Sequence, residues 1–276
     1  MTIRLEFTLL GTGSSGGVPR ADGAFGACDP NEPRNHRTRC GLAVRRLSEA
    51  GASPADLTTL VVDTPPEFRL QAVQAGLQRL DGVLFSHDHA DQTHGIDDIR
   101  AFFLRQRLKI PCYADAASCA SLGDRFSYVF RGGGQYPPIA ELLPAPEFGR
   151  LSAVAGPSGP IPFLTYDQDH GDVRALGFRF GNVAYSADVV DLPQSALDLL
   201  QGLDVFIIDA LRYTPHPTHA HLDKALAWIS MLQPRRAILT NMHIDLDYQT
   251  LRANLPAGVD PGYDGMRFVS EISAII

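Results

Sequence analysis

Three of the chain's nine histidines fall within eight positions of the stretch DGVLFSHDHADQTHGIDDIR (residues 81–100). His87 and His89 stand two residues apart, so an extended turn aims both imidazoles the same way. Asp91, two residues further on, adds a carboxylate oxygen to the same cluster. Nitrogen and oxygen donors in this mixture suit a borderline divalent cation such as zinc. Such an ion lowers the pKa of a bound water toward ~7 and polarises substrate oxygens, which is hydrolytic chemistry. Further candidates stand at wide intervals: His170 in DQDHG, Asp188 in YSAD, the three histidines of PHPTHAHLDKAL (His216, His219 and His221), and His243 in NMH. Each follows an apolar run, so side chains from separated strand ends are expected to converge on one site.

The elements that must position these residues are legible as periodic segments. Apolar or alternating runs predict strands at 3–10, 41–47, 58–63, 83–85, 109–114, 161–167, 173–180, 183–187, 205–210 and 236–240. A helix is expected over 67–80 with Phe68, Ala72, Val73 and Leu77 on its inner face, and a second from Ile96 with Ile99, Phe102 and Phe103 inward. A third follows His221, with Asp223 placed to cap it or to hold a histidine. Strands alternating with helices give an α/β layering, and no linker or repeat divides the chain, so residues 1–276 are expected to form one domain. Residues 123–160 carry RGGGQYPP and PAPEFG and read as an irregular insertion, a lid or a dimer-facing segment.

Composition narrows the function. A hydrophobic fraction of 45% with 20% charged residues is that of an ordinary globular chain. No stretch approaches the ~20 apolar residues of a membrane span, and the opening MTIRLEFTLLGTG reaches glycine too soon for a signal peptide. Cys28, Cys40, Cys112 and Cys119 show no CxxC spacing and suit reduced thiols, giving a cytoplasmic expectation. The net charge of −7 disfavours extended nucleic acid as a partner but allows a small pocket for one phosphate. The loop GTGSSGG (11–17), with Ser14 and Ser15, follows the first strand; its glycines would let backbone N–H groups approach an anion, but no Lys-Ser/Thr ending marks it as a P-loop. Arg34, Arg37 and Arg39 are candidate phosphate forks in the following loop.

His-x-His-x-Asp after a strand resembles the signature of the metallo-β-lactamase superfamily. The longer run SHDHADQTHGIDDIR, together with GTGSSGGVP and PGYDGMRF, is similar to the branch that includes phosphoribosyl 1,2-cyclic phosphate phosphodiesterase. The resemblance covers roughly 5–50, 60–105 and 165–268. It implies a four-layer αββα sandwich and a divalent metal, zinc or manganese. It also implies one firm metal site made by His87, His89, His170 and the bridging carboxylate Asp188. A possible second site would use Asp91 and Asp188, but the family pattern continues as His-x-His-x-Asp-His, and here Gln92 takes the last place. At the last strand Asn241 stands where the register expects a histidine, leaving His243 as the candidate ligand. The second site is therefore expected to be weaker, oxygen-rich or manganese-preferring. By the same resemblance Asp91 orients the nucleophile, His219, with His221 second, meets the scissile phosphate and protonates the leaving oxygen, and a homodimer is expected. Arg212 and Tyr213 are further phosphate-contact candidates, and the implied substrate is a small cyclic phosphate or nucleotide-like diester. A tRNA 3′-processing nuclease, a thioesterase on the same fold, and a nucleotide-binding protein without catalysis are the alternatives.

Overall fold

A computed structural model describes residues 2–48 and 52–273. The first sheet contains β1 (Thr2–Gly11), β2 (Gly41–Arg46), β3 (Thr58–Val62), β4 (Gly82–Leu84), β5 (Ile110–Ala114) and β6 (Ala140–Pro144). The second contains β7 (Ser152–Val154), β8 (Ile161–His170), β9 (Val173–Phe180), β10 (Val183–Ser186), β11 (Val205–Asp209), β12 (Arg236–Thr240) and β13 (Val259–Pro261). β14 (Arg267–Ser273) then returns to pair antiparallel with β1, giving the orders β14-β1-β2-β3-β4-β5-β6 and β13-β12-β11-β10-β9-β8-β7. Each sheet is antiparallel over one half and parallel over the other: β3 to β6 run parallel, as do β10 to β13.

Strand alternation explains the four layers. Leu5, Phe7, Leu9, Leu60, Val62 and Leu84 point at the opposite sheet, where they meet Phe163, Phe178, Phe180, Ile207 and Ile238. Their neighbours Leu10, Val61, Val83 and Phe85 face outward beneath α1 (Phe68–Ala75) and α3 (Arg100–Gln106), with Phe68, Ile96, Ile99 and Phe102. On the far side Phe206, Ile208, Ala237 and Leu239 pack under α6 (Gln194–Leu199), α7 (Leu222–Leu232) and α8 (Tyr248–Asn254). Central strands covered on both faces must read as continuous apolar runs, which is how VFIID and TTLVV read. Each fully buried aromatic or aliphatic side chain contributes about 1.5–3 kcal/mol. The expected αββα sandwich is the observed fold.

Three local expectations are corrected. The helix expected over 67–80 stops at Ala75, because Gly76 takes a left-handed C-cap (φ 67) that the glycine adopts without cost. Within the helix the inner face is Phe68, Gln71, Ala72 and Ala75, and Val73 faces solvent, 74% exposed. Residues 123–160 are not an irregular insertion: they finish α4 (Ala116–Arg125), form the short α5 (Ser127–Phe130), and supply the edge strands of both sheets, β6 and β7. The strand read as 161–167 runs on to His170, because its backbone keeps pairing with β9 up to the turn at Gly171 (φ 76).

β8 also anchors the strand ends that matter below. Tyr166 lies across its partner Gly177, where a Cβ would come within 2.0 Å of the ring, so only glycine fits. The buried Tyr166 hydroxyl bonds Ser186 Oγ (2.6 Å) and donates to the Tyr185 carbonyl (3.0 Å), at the end of β10. Gln168 Nε2 donates to the Ala187 carbonyl, and Asp169 and Asp191 pair through their backbones. Together these bonds lock His170 beside Asp188.

Candidate metal centre

The candidate residues stand where strands end. His87 follows β4, His170 closes β8, Asp188 follows β10, Asp209 closes β11 and Asn241 follows β12. Ligand sites in open parallel sheets lie beyond the carboxyl ends of the strands, and this cluster follows that rule. Asp63, Asp188 and Asn241 all take left-handed backbone (φ 64, 54 and 59), turning their side chains back across the sheet ends. Among non-glycine residues Asp and Asn enter that region most readily, which accounts for their use at these corners.

The rings of His87, His89 and His170 pack edge-on to one another, with centroids 4.5, 4.9 and 5.2 Å apart. One possible ligand atom from each lies within 4.8 Å of the others. Hydrogen bonds set their tautomers. His87 Nδ1 donates to Ser86 Oγ (3.0 Å), which donates to Asp63 Oδ2 (2.8 Å), and Asp63 Oδ1 also accepts the Ser86 N–H (2.8 Å). That leaves His87 Nε2 as a bare lone pair, fully buried and without a partner among the described residues. His170 Nδ1 donates to the Thr218 carbonyl (2.8 Å), so its Nε2 faces His89 Nδ1 at 3.4 Å. Burial, reinforced by the neighbouring imidazoles, pushes His87 well below the usual histidine range, and burial with the charge of His219 brings His170 to about 4. Both rings are therefore neutral, each with a lone pair aimed into the cluster. An orphaned buried nitrogen is costly alone and is satisfied by a cation, so these residues fit a divalent metal, with outer partners that orient the rings.

On the other side of His170 a second group brings His170, Asp188 and His219 within the same range. His219 Nδ1 donates to Asp209 Oδ2 at 2.8 Å and lies 3.7 Å from Asp188 Oδ1. Burial lowers the affinity of the His219 ring for a proton, but the buried carboxylate of Asp209, with Asp188 and Asp91 behind it, more than offsets this and raises it to about 9. Asp209 is completely buried and also accepts from the Val189 N–H (3.1 Å) and Asn241 Nδ2 (3.2 Å). The sequence reading passed over Asp209; the available signal was a lone carboxylate ending an apolar strand, the same signal that marked Asp188. Asp63 and Ser86 were likewise missed, and nothing in their spacing announces a relay to His87.

Other sequence candidates sit apart from the cluster. Asp91 lies half-buried in the first turn of α2 (Ala90–Thr93), outside both ligand groups, with its charge felt at Asp188 and His219. His243 is not brought in: its backbone N–H donates to Leu211, and its Nε2 accepts from Arg20. The chain turns at Asn241, which carries the Asn241 side chain inward and His243 away. His221 occupies the N-cap of α7 without a side-chain cap bond, and Asp223 sits in the first turn of that helix. Arg39 is engaged by Glu67 and the Ser15 carbonyl, Arg212 by the carbonyls of Thr214 and Pro215, and buried Arg37 by those of Leu246 and His243. Arg34 lies over the rings of Tyr248 and Tyr263, while Tyr213 is exposed.

The glycine loop is spent on packing. A Cβ at Gly11 would come within 2.1 Å of the Arg39 carbonyl, and one at Gly13 within 2.9 Å of two carbonyls. Its Thr12, Gly13 and Ser14 N–H groups donate to Asp264, Thr38 and Met242, leaving Ser14 buried and Ser15 exposed.

Comparison with known proteins agrees with this arrangement. A profile described as "Beta-lactamase superfamily domain" matches residues 58–244. An octanoyltransferase of Porphyromonas gingivalis is 29% identical over 272 residues, 97% of this chain; the chain spans about half (52%) of that relative. The crystal structure of a new diphosphatase from the PhnP family superposes with a TM-score of 0.83 at 29% identity, covering 99% of both chains. Zinc-bound PqqB from Methylobacterium extorquens shares the fold at 15% identity, with a TM-score of 0.70 over 95% of this chain and 99% of its own. With two seven-stranded sheets, helices on both outer faces and a histidine cluster at the strand ends, the chain belongs to the β-lactamase superfamily, on the PhnP-like side of it.

Proposed function

We propose that the chain is a metal-dependent hydrolase whose substrate is a small phosphodiester, a cyclic phosphate or a nucleotide-like diester. The observation that carries the reading is the pairing of two opposite groups across His170. On one side are neutral imidazoles with bare lone pairs; on the other is a histidine, His219, that Asp209 keeps protonated. The ring centroids of His170 and His219 are 4.7 Å apart, so the two groups adjoin one another at the strand ends.

His87, His89, His170 and Asp188 would hold the ion, which supplies an activated water and polarises phosphoryl oxygens. The protein's own contribution is positional and protonic. Ser86 and Asp63 hold the ring of His87, and the Thr218 carbonyl holds that of His170. His219, with Nδ1 fixed by Asp209, turns Nε2 to the substrate as a general acid for the departing alkoxide. The carboxylate stabilises the imidazolium without itself taking the proton. The likeness to a PhnP-family diphosphatase supports a phosphorus centre, and the net charge of −7 supports a small substrate in preference to extended nucleic acid.

The test is hydrolysis of bis(p-nitrophenyl) phosphate by purified protein reconstituted with Mn²⁺ or Zn²⁺. Turnover that disappears in His87→Ala supports the reading. Folded, metal-loaded protein that turns over neither this diester nor a ribose 2′,3′-cyclic phosphate would overturn the phosphodiester assignment.

A further inference from the structure

The two sides of Asp188 differ in hydrogen-bonding sense. Toward His87 and His170 the groups are acceptors, bare imidazole nitrogens. On the opposite side every neighbour is a donor. Gln92 Nε2 donates to Asp188 Oδ2 (2.8 Å), and Asn241 Nδ2 donates to Asp188 Oδ1 (3.3 Å). The Cys40 thiol lies 3.9 Å from Oδ2 and 4.0 Å from Asn241 Oδ1. The Asn241 amide nitrogen also faces Asp209 Oδ1 at 3.2 Å, and the two carboxylates, which accept only from the N–H₂ end, set its orientation against a 3.1 Å approach to His219 Nδ1. Gln92, Cys40, Asn241 and Asp188 are each no more than 2% exposed, so water does not take over these bonds.

We propose that the chain binds one divalent ion, not two, and that Gln92 and Asn241 are positioning residues standing in for the second ion's charge. A carboxylate oxygen accepts about two hydrogen bonds or ligands. With one amide on each oxygen, Asp188 keeps a lone pair for an ion on the histidine side. An ion on the amide side would have to break both amide bonds and, besides the nearby carboxylate of Asp91, would gain only carbonyl oxygens and a buried thiol in place of imidazoles, poor partners for a divalent cation. The amide N–H groups place partial positive charge on a buried carboxylate and fix it in its metal-facing pose. The inference rests on the metal half of the proposed function and is independent of the substrate class.

The test is metal content and the Mn²⁺ electron paramagnetic resonance spectrum of the full chain after saturation with Mn²⁺ and desalting. One equivalent and an uncoupled six-line spectrum are expected; two retained equivalents, none, or an exchange-coupled spectrum would overturn the proposal. Gln92→Leu and Asn241→Leu are each expected to weaken Mn²⁺ binding about 10–100-fold in chelator competition, the range for residues that orient a ligand. Unchanged affinity in both would refute the positioning role. The double variant Gln92→His/Asn241→His is expected to gain a second equivalent; if it folds and gains none, the amides are not what excludes the second ion. A one-ion protein inactive on phosphodiesters would refute the substrate assignment and leave this inference standing.

Discussion

Asp209→Asn isolates the role of the carboxylate behind His219. Asp209 has no exposure and accepts three hydrogen bonds, from His219 Nδ1 (2.8 Å), the Val189 N–H (3.1 Å) and Asn241 Nδ2 (3.2 Å). Removing the side chain entirely would strand three buried donors at about 1–3 kcal/mol each and threaten folding. Asparagine keeps the shape and one acceptor oxygen; placed where Oδ2 stands, that oxygen still accepts from both the Val189 N–H and His219 Nδ1, and the amide N–H₂ falls opposite Asn241. The ring then keeps a neutral acceptor at Nδ1 but loses the negative charge that strengthens this bond and favours imidazolium. A hydrogen bond to a charged group is worth about 1.5–3 kcal/mol, or roughly 10–150-fold, and a general acid supplies about 10²–10⁴-fold. We therefore expect kcat on an alkyl-leaving-group diester, such as a ribose 2′,3′-cyclic phosphate, to fall about 100-fold with little change in KM. The same variant should hydrolyse bis(p-nitrophenyl) phosphate within a few-fold of the natural chain, because nitrophenolate departs without a proton. His219→Gln should show the same split, and the double variant should be no worse than the single ones, since the pair acts as a unit. Equal slowing of both substrates would mean that Asp209 only maintains the site's shape, and no slowing of either would remove His219 from the chemistry.

Two further outcomes follow from the same structure. Added Zn²⁺ or Mn²⁺ should raise the Tm of chelator-stripped protein, with about 3–4 kcal/mol of stabilisation at 100–1,000 times Kd, and His87→Ala should abolish the rise in a thermal melt. Asp264 is half-buried between the loops that it ties together, accepting from the backbone N–H and hydroxyl of both Thr12 and Thr38, and the loss of solvation outweighs these bonds to raise its carboxyl from 3.8 to about 6. Because the folded state holds this proton more tightly, stability from this group is full below about pH 4 and is lost as pH rises through 6, by roughly 3 kcal/mol. Denaturant unfolding of metal-free protein from pH 4 to 7, compared with Asp264→Asn, measures it; a pH-independent difference between the two would refute the assignment.

The amino-acid sequence by itself determined the layers and the nearest ligands, because both depend on local spacing. VFIID, TTLVV and RAILT each carry an unbroken apolar run of three or four residues since a central strand is covered on two faces, and that pattern survives whatever the strand pairs with. His87 and His89 share a turn, so a two-residue spacing suffices to bring them together. What only the tertiary structure decided are the pairings between distant strand ends. Asp209 looked like any strand-terminal aspartate until the crossing of β11 and the loop before α7 set it 2.8 Å from His219. Gln92 and Asn241 read as defects in a ligand pattern, and the fold shows them as donors to one carboxylate from chain positions 149 residues apart. His243 lost its place to Asn241 through one left-handed residue that reverses which side chain points inward. Edge strands β6 and β7 were invisible because a strand half-covered by solvent carries no continuous apolar run. Local periodicity records which face is buried; the partner of a buried charge is a matter of non-local geometry, and a single sequence carries no trace of it.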